Sequence, residues 1–336
     1  MVLIKKDVSL KLFNTFGIDV NARYFVRAKN LEEIKEVLKN HREYFPFYII
    51  GGGSNILFTK DFGGLILQPA LKGIKITDNN PEHCIVEVGA GENWDDFVKW
   101  AVENKLGGIE NLSLIPGSTG SSPIQNIGAY GVEVKDVIEK VNYLDLETLQ
   151  IVTLNNNECD FGYRSSIFKK QLKNRVIITS VVFNLCHNPA FNTAYGNLRE
   201  EINKKGRPDL ETIRNAIINI RRSKLPDPEL TGNAGSFFKN PVVDAIFAKQ
   251  LKDQYTTMPL FPVSSDWIKI PAGWLIEQCG WKGKKIGNAG VHDKQALVLI
   301  NCGNASGEEI KDLACQIKDS VFSEFGIKLE TEVNIV

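Results

Sequence analysis

Two glycine-rich stretches in the first half of the chain hold the residues with the clearest chemical potential. Gly51, Gly52, Gly53, Ser54 and Asn55 follow the strand-like run Tyr48-Ile49-Ile50. Consecutive residues without Cβ atoms let successive backbone N–H groups face one anion, which makes this segment a candidate cradle for a diphosphate. The plain alternative is a glycine turn between two strands. The dinucleotide fingerprint G-x-G-x-x-G fails here: position 56 is Ile56, and Leu57 to Gly63 runs through Asp61 into a turn instead of a helix. A Walker loop fails too, because no Gly-Lys-Ser/Thr ending follows. The second stretch, Ile115 to Gly131, interleaves backbone amides, hydroxyls and small residues that can wrap a flat polar ring and its phosphate tail. Two such loops, neither of Rossmann type, point to a flavin adenine dinucleotide (FAD) site of another fold.

Short apolar runs such as Gly64–Leu67 and Cys84–Val88 read as strands. Leu31 to Leu38 reads as a helix, and so does a segment beginning near Asn93, where Trp94, Phe97, Val98, Ala101 and Val102 recur at helical spacing. In that helix Asp95 and Asp96 fall in the first turn, where the macrodipole favours anions. Strands return at Val137 to Leu144 and Val176 to Leu185, and a polar excursion occupies Asn188 to Asn197. Glu211 to Lys224 carries an apolar stripe (Ile213, Ala216, Ile217, Ile220) that is stopped by Leu225-Pro226-Asp227-Pro228, and we place a domain boundary there. Beyond it come helical patterns at Val243 to Leu251, Ala272 to Cys279 and Gly307 to Phe325, with the apolar run Ala296 to Ile300 between the last two. Strands and helices mix without the regular alternation of a doubly wound sheet, so the class is α+β.

With 336 residues, roughly two domains are expected at about 150 residues each. The 40 basic and 40 acidic side chains cancel to a formal charge of zero, which gives no general pull toward nucleic acid or anionic membrane. No run approaches the about 18 apolar residues of a membrane span, and Lys5, Lys6 and Asp7 occupy the place of a signal peptide's apolar region. The expected location is cytoplasmic. Cys84, Cys159, Cys186, Cys279, Cys302 and Cys315 form no Cys-x-x-Cys pair and no compact cluster, so buried thiols are expected in place of a metal site or a disulfide framework.

The stretches IPGSTGSSPIQNIGAYG, FGYRSSIFK, KLPDPELTGNAGSFFKNP, AGWLIEQCGWKGKKIGNAGVHDKQALVLIN and the terminal LETEV, in this order over nearly the whole chain, resemble the UDP-N-acetylenolpyruvoylglucosamine reductase family. The resemblance implies a p-cresol methylhydroxylase (vanillyl-alcohol oxidase) type of FAD fold. Its two subdomains would be residues 1–70 with the terminal strand 327–336, and residues 71–222, followed by an α+β substrate domain at 223–326. It also implies the reaction that completes UDP-N-acetylmuramate for peptidoglycan. NADPH reduces the flavin, whose N5 then delivers hydride to the enolpyruvyl group of UDP-N-acetylglucosamine enolpyruvate. With no histidine in either glycine loop, the FAD is expected to be non-covalent.

Hydride addition to an enol ether conjugated to a carboxylate builds negative charge on the neighbouring carbon and on the carboxylate oxygens. The resemblance assigns Arg164 and Glu332 to hold that charge, which requires Glu332 to be protonated or to share a proton. It assigns Ser236 as the donor that protonates the carbanion. Taken without the resemblance, Arg164 reads as a surface ion pair, Glu332 as a solvated strand end and Ser236 as a turn or cap serine. Flavin contacts fall on Gly51, Gly52, Gly53, Ser54, Asn55, Pro116, Gly117, Ser118, Gly120, Ser121, Ser122, Gln125, Asn126, Gly128, Ala129, Tyr130 and Tyr163. Contacts to the nucleotide sugar or to NADPH phosphate fall on Arg221, Lys224, Asn240, Lys269, Lys282 and Gln295. Arg221 and Lys224 also suit the C-terminal end of a helix on electrostatic grounds alone. Asn192 to Leu198 resembles the mobile loop of the longer subtype, with Tyr195 covering the substrate; a linker tyrosine is the alternative. Phe261 stands where a tyrosine reaching the substrate is implied. Two rival readings are an oxygen-using alcohol or sugar oxidase of the same fold, and a nucleotide-binding regulator without turnover.

Overall fold

A computed structural model describes residues 2–39, 41–204 and 206–336. The chain divides into two compact units, one of Met1–Val8, Ala22–Gly53 and Phe62–Ser223, the other of Ser9–Asn21, Ser54–Asp61 and Lys224–Val336. The helices are α1 (Leu31–Lys39), α2 (Trp94–Glu103), α3 (Leu198–Asn203), α4 (Leu210–Lys224), α5 (Ala245–Gln254), α6 (Ala272–Gln278) and α7 (Gly307–Phe325). Among the described residues no helix is long and apolar enough to cross a membrane.

The first unit is built on two sheets. One orders the strands Lys5–Ser9, Asn21–Ala28, Phe62–Pro69 and Phe47–Ile49, and Phe62–Pro69 runs parallel to both of its neighbours. The other orders Ile151–Asn155, Ile138–Asp145, Val176–Cys186, His83–Gly89 and Ile74–Asn79, antiparallel throughout. The apolar stripe of α1 (Ile34, Val37, Leu38) packs on Val26, Ala28, Leu65 and Leu67. On the antiparallel sheet, α2 buries Trp94, Phe97, Val98 and Ala101 against Val86, Val88, Val181 and Phe183, and the Phe97 and Phe183 rings lie 4.9 Å apart. Each large apolar side chain so buried contributes about 1.5–3 kcal/mol. Asn93 caps α2 by accepting the Asp96 N–H at 3.1 Å.

In the second unit the strands Asn233–Ser236, Val298–Asn301, Ala289–Val291 and Lys285–Ile286 form one sheet and Val242–Asp244, Trp267–Lys269 and Phe261–Pro262 another, with antiparallel pairing in both. Ser306 and Glu309 form a capping box at the start of α7, and Gly326, at φ +67°, ends it. The Phe16 ring packs edge-on to Phe237 at 6.2 Å, and the terminal strand Asn334–Ile335 pairs with Ile56–Leu57.

Two local expectations need correction. Cys84 and Cys159 are buried, and burial pushes the Cys159 thiol up to about 12, but Cys302 and Cys315 are exposed. Cys315 occupies the outer face of α7, where packing does not choose the residue. The pattern at Val243 to Leu251 begins as a strand, Val242–Asp244, because Asp244 caps α5 by accepting the N–H groups of Ile246 and Phe247. The polar excursion after Asn188 closes in the short helix α3, whose Leu198 and Ile202 pack on the α4 stripe.

Candidate active site

In the first unit the two glycine-rich loops pack backbone to backbone. A Cβ on Gly52 would stand 2.8 Å from Gly117 Cα, and one on Gly51 would stand 2.2 Å from Ser121 Oγ and 2.6 Å from Ser118 Oγ. A side chain at Gly52 would force the facing backbone to move, whereas one at Gly51 would turn the Ser118 and Ser121 hydroxyls aside. The second loop has local order of its own. Short 3₁₀ turns at Glu110–Leu112 and Thr119–Ser121 and a small hairpin, Gly128–Ala129 against Val132–Glu133, brace it. Its hydrogen bonds bind it to the α2 approach: Thr119 N–H donates to Glu92 O at 2.8 Å, Gly120 N–H to Ala90 O at 2.9 Å and Trp94 N–H to Gly117 O at 3.0 Å. Ser118 and Ser121 share a hydroxyl hydrogen bond of 2.9 Å, while Ser122 Oγ donates to Thr119 O.

These groups fit an FAD. Side-by-side backbones without Cβ atoms form a cradle for a diphosphate, and the Ser118 and Ser121 hydroxyls border it. Gln68 donates from Nε2 to Gly51 O at 2.9 Å, while its Oε1 and the Thr119 hydroxyl are buried beside the loops without a hydrogen-bond partner. Buried polar atoms of that kind call for a polar ligand or water. Gln68 and Thr119 are absent from the sequence-based set: Gln68 belongs to no pattern, and Thr119 lies in the second glycine-rich stretch without being singled out there. Gly52→Ala is expected to yield folded protein with markedly less bound flavin, read as the ratio of flavin absorbance to protein; full flavin content would remove this cradle from the site.

Arg164 lies in a tight turn closed by reciprocal hydrogen bonds between Gly162 and Ser165, at 3.0 and 3.2 Å, and it has φ +52°. A left-handed arginine costs conformational energy that surrounding contacts must supply. Asn126, fully buried at φ +45°, donates to Gly162 O at 3.1 Å and to Glu133 Oε2 at 3.0 Å, and Ser166 Oγ donates to Ile124 O at 2.6 Å. The Arg164 turn is therefore fastened to the second glycine loop. Its guanidinium donates to Gly128 O at 2.9 Å and stands 5.7 Å from the Tyr163 ring centre.

Along the stripe face of α4, Tyr130, Tyr195 and Arg221 come together. Tyr195 is 57% exposed and meets the Tyr130 ring edge-on at 6.0 Å. Burial works against the Arg221 charge, and Tyr130 and then Asp95 favour it; its Nε is buried without a partner. Burial likewise pushes the Tyr130 hydroxyl up, partly offset by Arg221. Asp95, which the sequence offered only as a first-turn anion, forms a paired bridge to Arg214 at 2.6 and 2.9 Å and accepts the N–H of Leu114, itself at φ +60°. Burial alone would raise this carboxyl, but the hydrogen bonds from Arg214 and Leu114 hold it below the usual carboxylate range. Asp95→Asn is expected to cost about 2–4 kcal/mol of stability at pH 7 by urea unfolding. A depressed folded-state pKa stabilises above the ordinary aspartate value of about 3.9, so the gap between variant and parent should close as the pH falls below it.

The remaining residues lie in the second unit. Ser236 ends a strand whose next residue, Phe237, accepts the Glu332 N–H at 2.8 Å, so Ser236 and Glu332 are brought together on adjacent backbones. Asn55 donates from Nδ2 to Glu332 O at 3.2 Å. Asn240 and Gln295 meet at the start of α6: Asn240 Oδ1 accepts the Ala272 N–H at 2.9 Å, and Gln295 Oε1 would be 3.0 Å from a Cβ on Gly273. Lys269 sits across from Val242 and Phe261 in the three-stranded sheet, with the Phe261 ring half exposed. Lys282 pairs with Glu277 at 2.8 Å, and Lys224, at the end of α4, is exposed. These contacts leave Lys282 and Lys224 outside the Asn240–Gln295 group.

Comparison with known proteins agrees with this geometry. Residues 22–155 match an FAD binding domain family, and residues 227–336 match the C-terminal domain of UDP-N-acetylenolpyruvoylglucosamine reductase. The UDP-N-acetylenolpyruvoylglucosamine reductase of Flavobacterium johnsoniae is 47% identical over 336 residues, covering 99% of both chains. The chain belongs to that reductase family. The enzyme of the same name from Bacteroides fragilis is 45% identical, covering 99% of this chain and 100% of its own. In fold, the chain is similar to the reductase crystal structure from Thermus caldophilus, with a TM-score of 0.71 at 22% identity over 100% of this chain and 99% of that one. It is also similar to p-cresol methylhydroxylase, with a TM-score of 0.51 at 12% identity over 96% and 84%. The flavin fold of that type and the α+β class are thus both found, and a member of this family is an FAD-dependent oxidoreductase.

Proposed function

We infer that the chain reduces UDP-N-acetylglucosamine enolpyruvate to UDP-N-acetylmuramate with NADPH, a step of peptidoglycan synthesis. The observation that carries this is family membership over the full length, together with a glycine cradle that fits FAD. Bound FAD supplies the two-electron chemistry between NADPH and the enolpyruvyl double bond. The residue roles, the cytoplasmic location where NADPH is available, and the division into flavin subdomains (1–70 with 327–336, and 71–222) and a substrate part (223–326) belong to the same proposal.

During the reduction, negative charge gathers on the carbon next to the carboxylate and on the carboxylate oxygens. The Arg164 guanidinium, planar and always charged, has a fork that matches those oxygens, and its turn is pre-set by Asn126 and Ser166. Such preorganised donors lose little to reorganisation as charge develops. Glu332 contributes by donating a proton-bearing oxygen to the same charge. Ser236 gives its hydroxyl proton to the carbon and regains one from solvent water at the exposed strand end; its position on the strand bordering Glu332 supports that pairing of roles. Arg221 and Tyr195 hold the nucleotide sugar, supported by their contact with Tyr130, while Lys224, Asn240, Lys269, Lys282 and Gln295 meet its phosphates or those of NADPH.

The test is the product. Purified protein incubated without air with NADPH and the enolpyruvyl nucleotide is expected to yield a nucleotide sugar with two more hydrogens, one NADPH being consumed per molecule. Oxygen consumption with an alcohol or sugar, or NADPH left untouched, would favour the oxidase or the regulator instead.

A further inference from the structure

The strand that carries Ser236 is out of step with its neighbour. Asn233 stands across from Ile300 and Ser236 across from Val298, three residues along one strand against two along the other, so one extra residue forms a β-bulge. Gly235 takes it up at φ +67°, and a Cβ there would meet nothing within 4 Å. Backbone conformation, and not crowding, is therefore what selects glycine at this position.

Asn233 fixes that bulge. It is 3% exposed, and its side chain spends both ends on the turn: Oδ1 accepts the Gly235 N–H at 2.9 Å, while Nδ2 donates to Thr231 O at 2.9 Å and Pro226 O at 3.2 Å. The strand regains its register when the Phe237 N–H donates to Leu297 O at 2.8 Å. Along Asn233 to Phe238 the side chains of Ala234, Phe237 and Phe238 are buried, and Ser236 is the exposed residue. Bulges next to reactive groups commonly re-aim a single side chain.

We propose that Asn233 is the positioning residue for Ser236: its buried amide holds Gly235 left-handed, and the bulge so fixed aims the serine hydroxyl. This rests on the reading of Ser236 as proton donor. It predicts that loosening the bulge damages the step that uses Ser236 and spares the step that does not.

The experiment compares Asn233→Ala, Gly235→Ala and Ser236→Ala, and each of the first two combined with the third, as flavin-loaded protein. Reduction by NADPH and reoxidation by the enolpyruvyl nucleotide are timed separately. Asn233→Ala and Gly235→Ala are expected to slow reoxidation about 10- to 100-fold, the scale of a misplaced reacting group, with reduction within about twofold of the parent. Added to Ser236→Ala, either change should cost nothing further, because no serine hydroxyl is left to misdirect. Without substrate, the Gly235 amide should exchange with deuterium faster in Asn233→Ala than in the parent. Should Asn233→Ala fail to fold, Gly235→Ala decides, since no side chain is crowded there. Equal slowing of both steps, or losses that multiply with that of Ser236→Ala, overturns the positioning role. Slow reoxidation in Ser236→Ala beside normal reoxidation in the other two overturns this inference alone, whereas normal reoxidation in Ser236→Ala overturns the donor reading itself.

Discussion

Ser236→Ala is expected to leave reduction of the flavin by NADPH near the parent rate and to slow its reoxidation by the enolpyruvyl nucleotide by about 10²–10⁴-fold, the range of a positioned general acid. The asymmetry follows from where a proton is needed. Electrons passing from NADPH to the flavin require nothing of a serine near the nucleotide sugar, whereas the carbon next to the carboxylate must gain a proton before the product is neutral there. A serine hydroxyl is a weak acid, but that carbon is a strong base once charged, so the transfer needs geometry more than acidity. In the proposed function that geometry falls to the exposed end of the strand Asn233–Ser236, one residue from the hydrogen bond that holds Glu332. Rapid-mixing spectroscopy of the two half-reactions checks it, and equal loss in both would end the donor role.

Arg164→Ala should behave in the same direction for a different reason. Deleting one preorganised donor to a developing anion typically costs about 10²–10³ in rate. The same variant keeps the left-handed backbone at φ +52°, which burdens any residue with a Cβ, and loses the bond to Gly128 O, so a small loss of stability accompanies it. Its reduction by NADPH should persist while its reoxidation by substrate falls by that factor, and Arg164→Lys should recover only part, because an ammonium lacks the planar fork. Unchanged turnover in Arg164→Ala would take the arginine out of the mechanism.

What the sequence made legible was whatever is local. The last helix follows the helical pattern read at Gly307 to Phe325, and Ser306, Glu309 and Gly326, which that pattern did not use, close its ends. Asn93 and the apolar face after it announced α2. Both glycine loops were visible, yet their packing against each other was not, since nothing in the triplet Gly51–Gly53 encodes the approach of Gly117 and Ser121. Equally hidden was the attachment of Ser9–Asn21 and Ser54–Asp61 to the C-terminal part of the chain. That attachment depends on single long-range contacts such as Phe16 on Phe237, which leave no periodicity. The Asp95–Arg214 bridge spans 119 residues, and from sequence Asp95 read only as an acidic first-turn residue. Asn233 lay inside a quoted motif, but its role depends on a register shift that only the paired strand reveals.

The central claim is that one bound flavin takes electrons from NADPH and passes them to the enolpyruvyl double bond. Purified protein kept free of oxygen is mixed first with NADPH and then with UDP-N-acetylglucosamine enolpyruvate while the flavin absorbance is followed. The band should bleach on the first addition and return on the second, at a rate that keeps pace with product. A band that bleaches and stays bleached until air is admitted, or one that never responds to NADPH, contradicts the account.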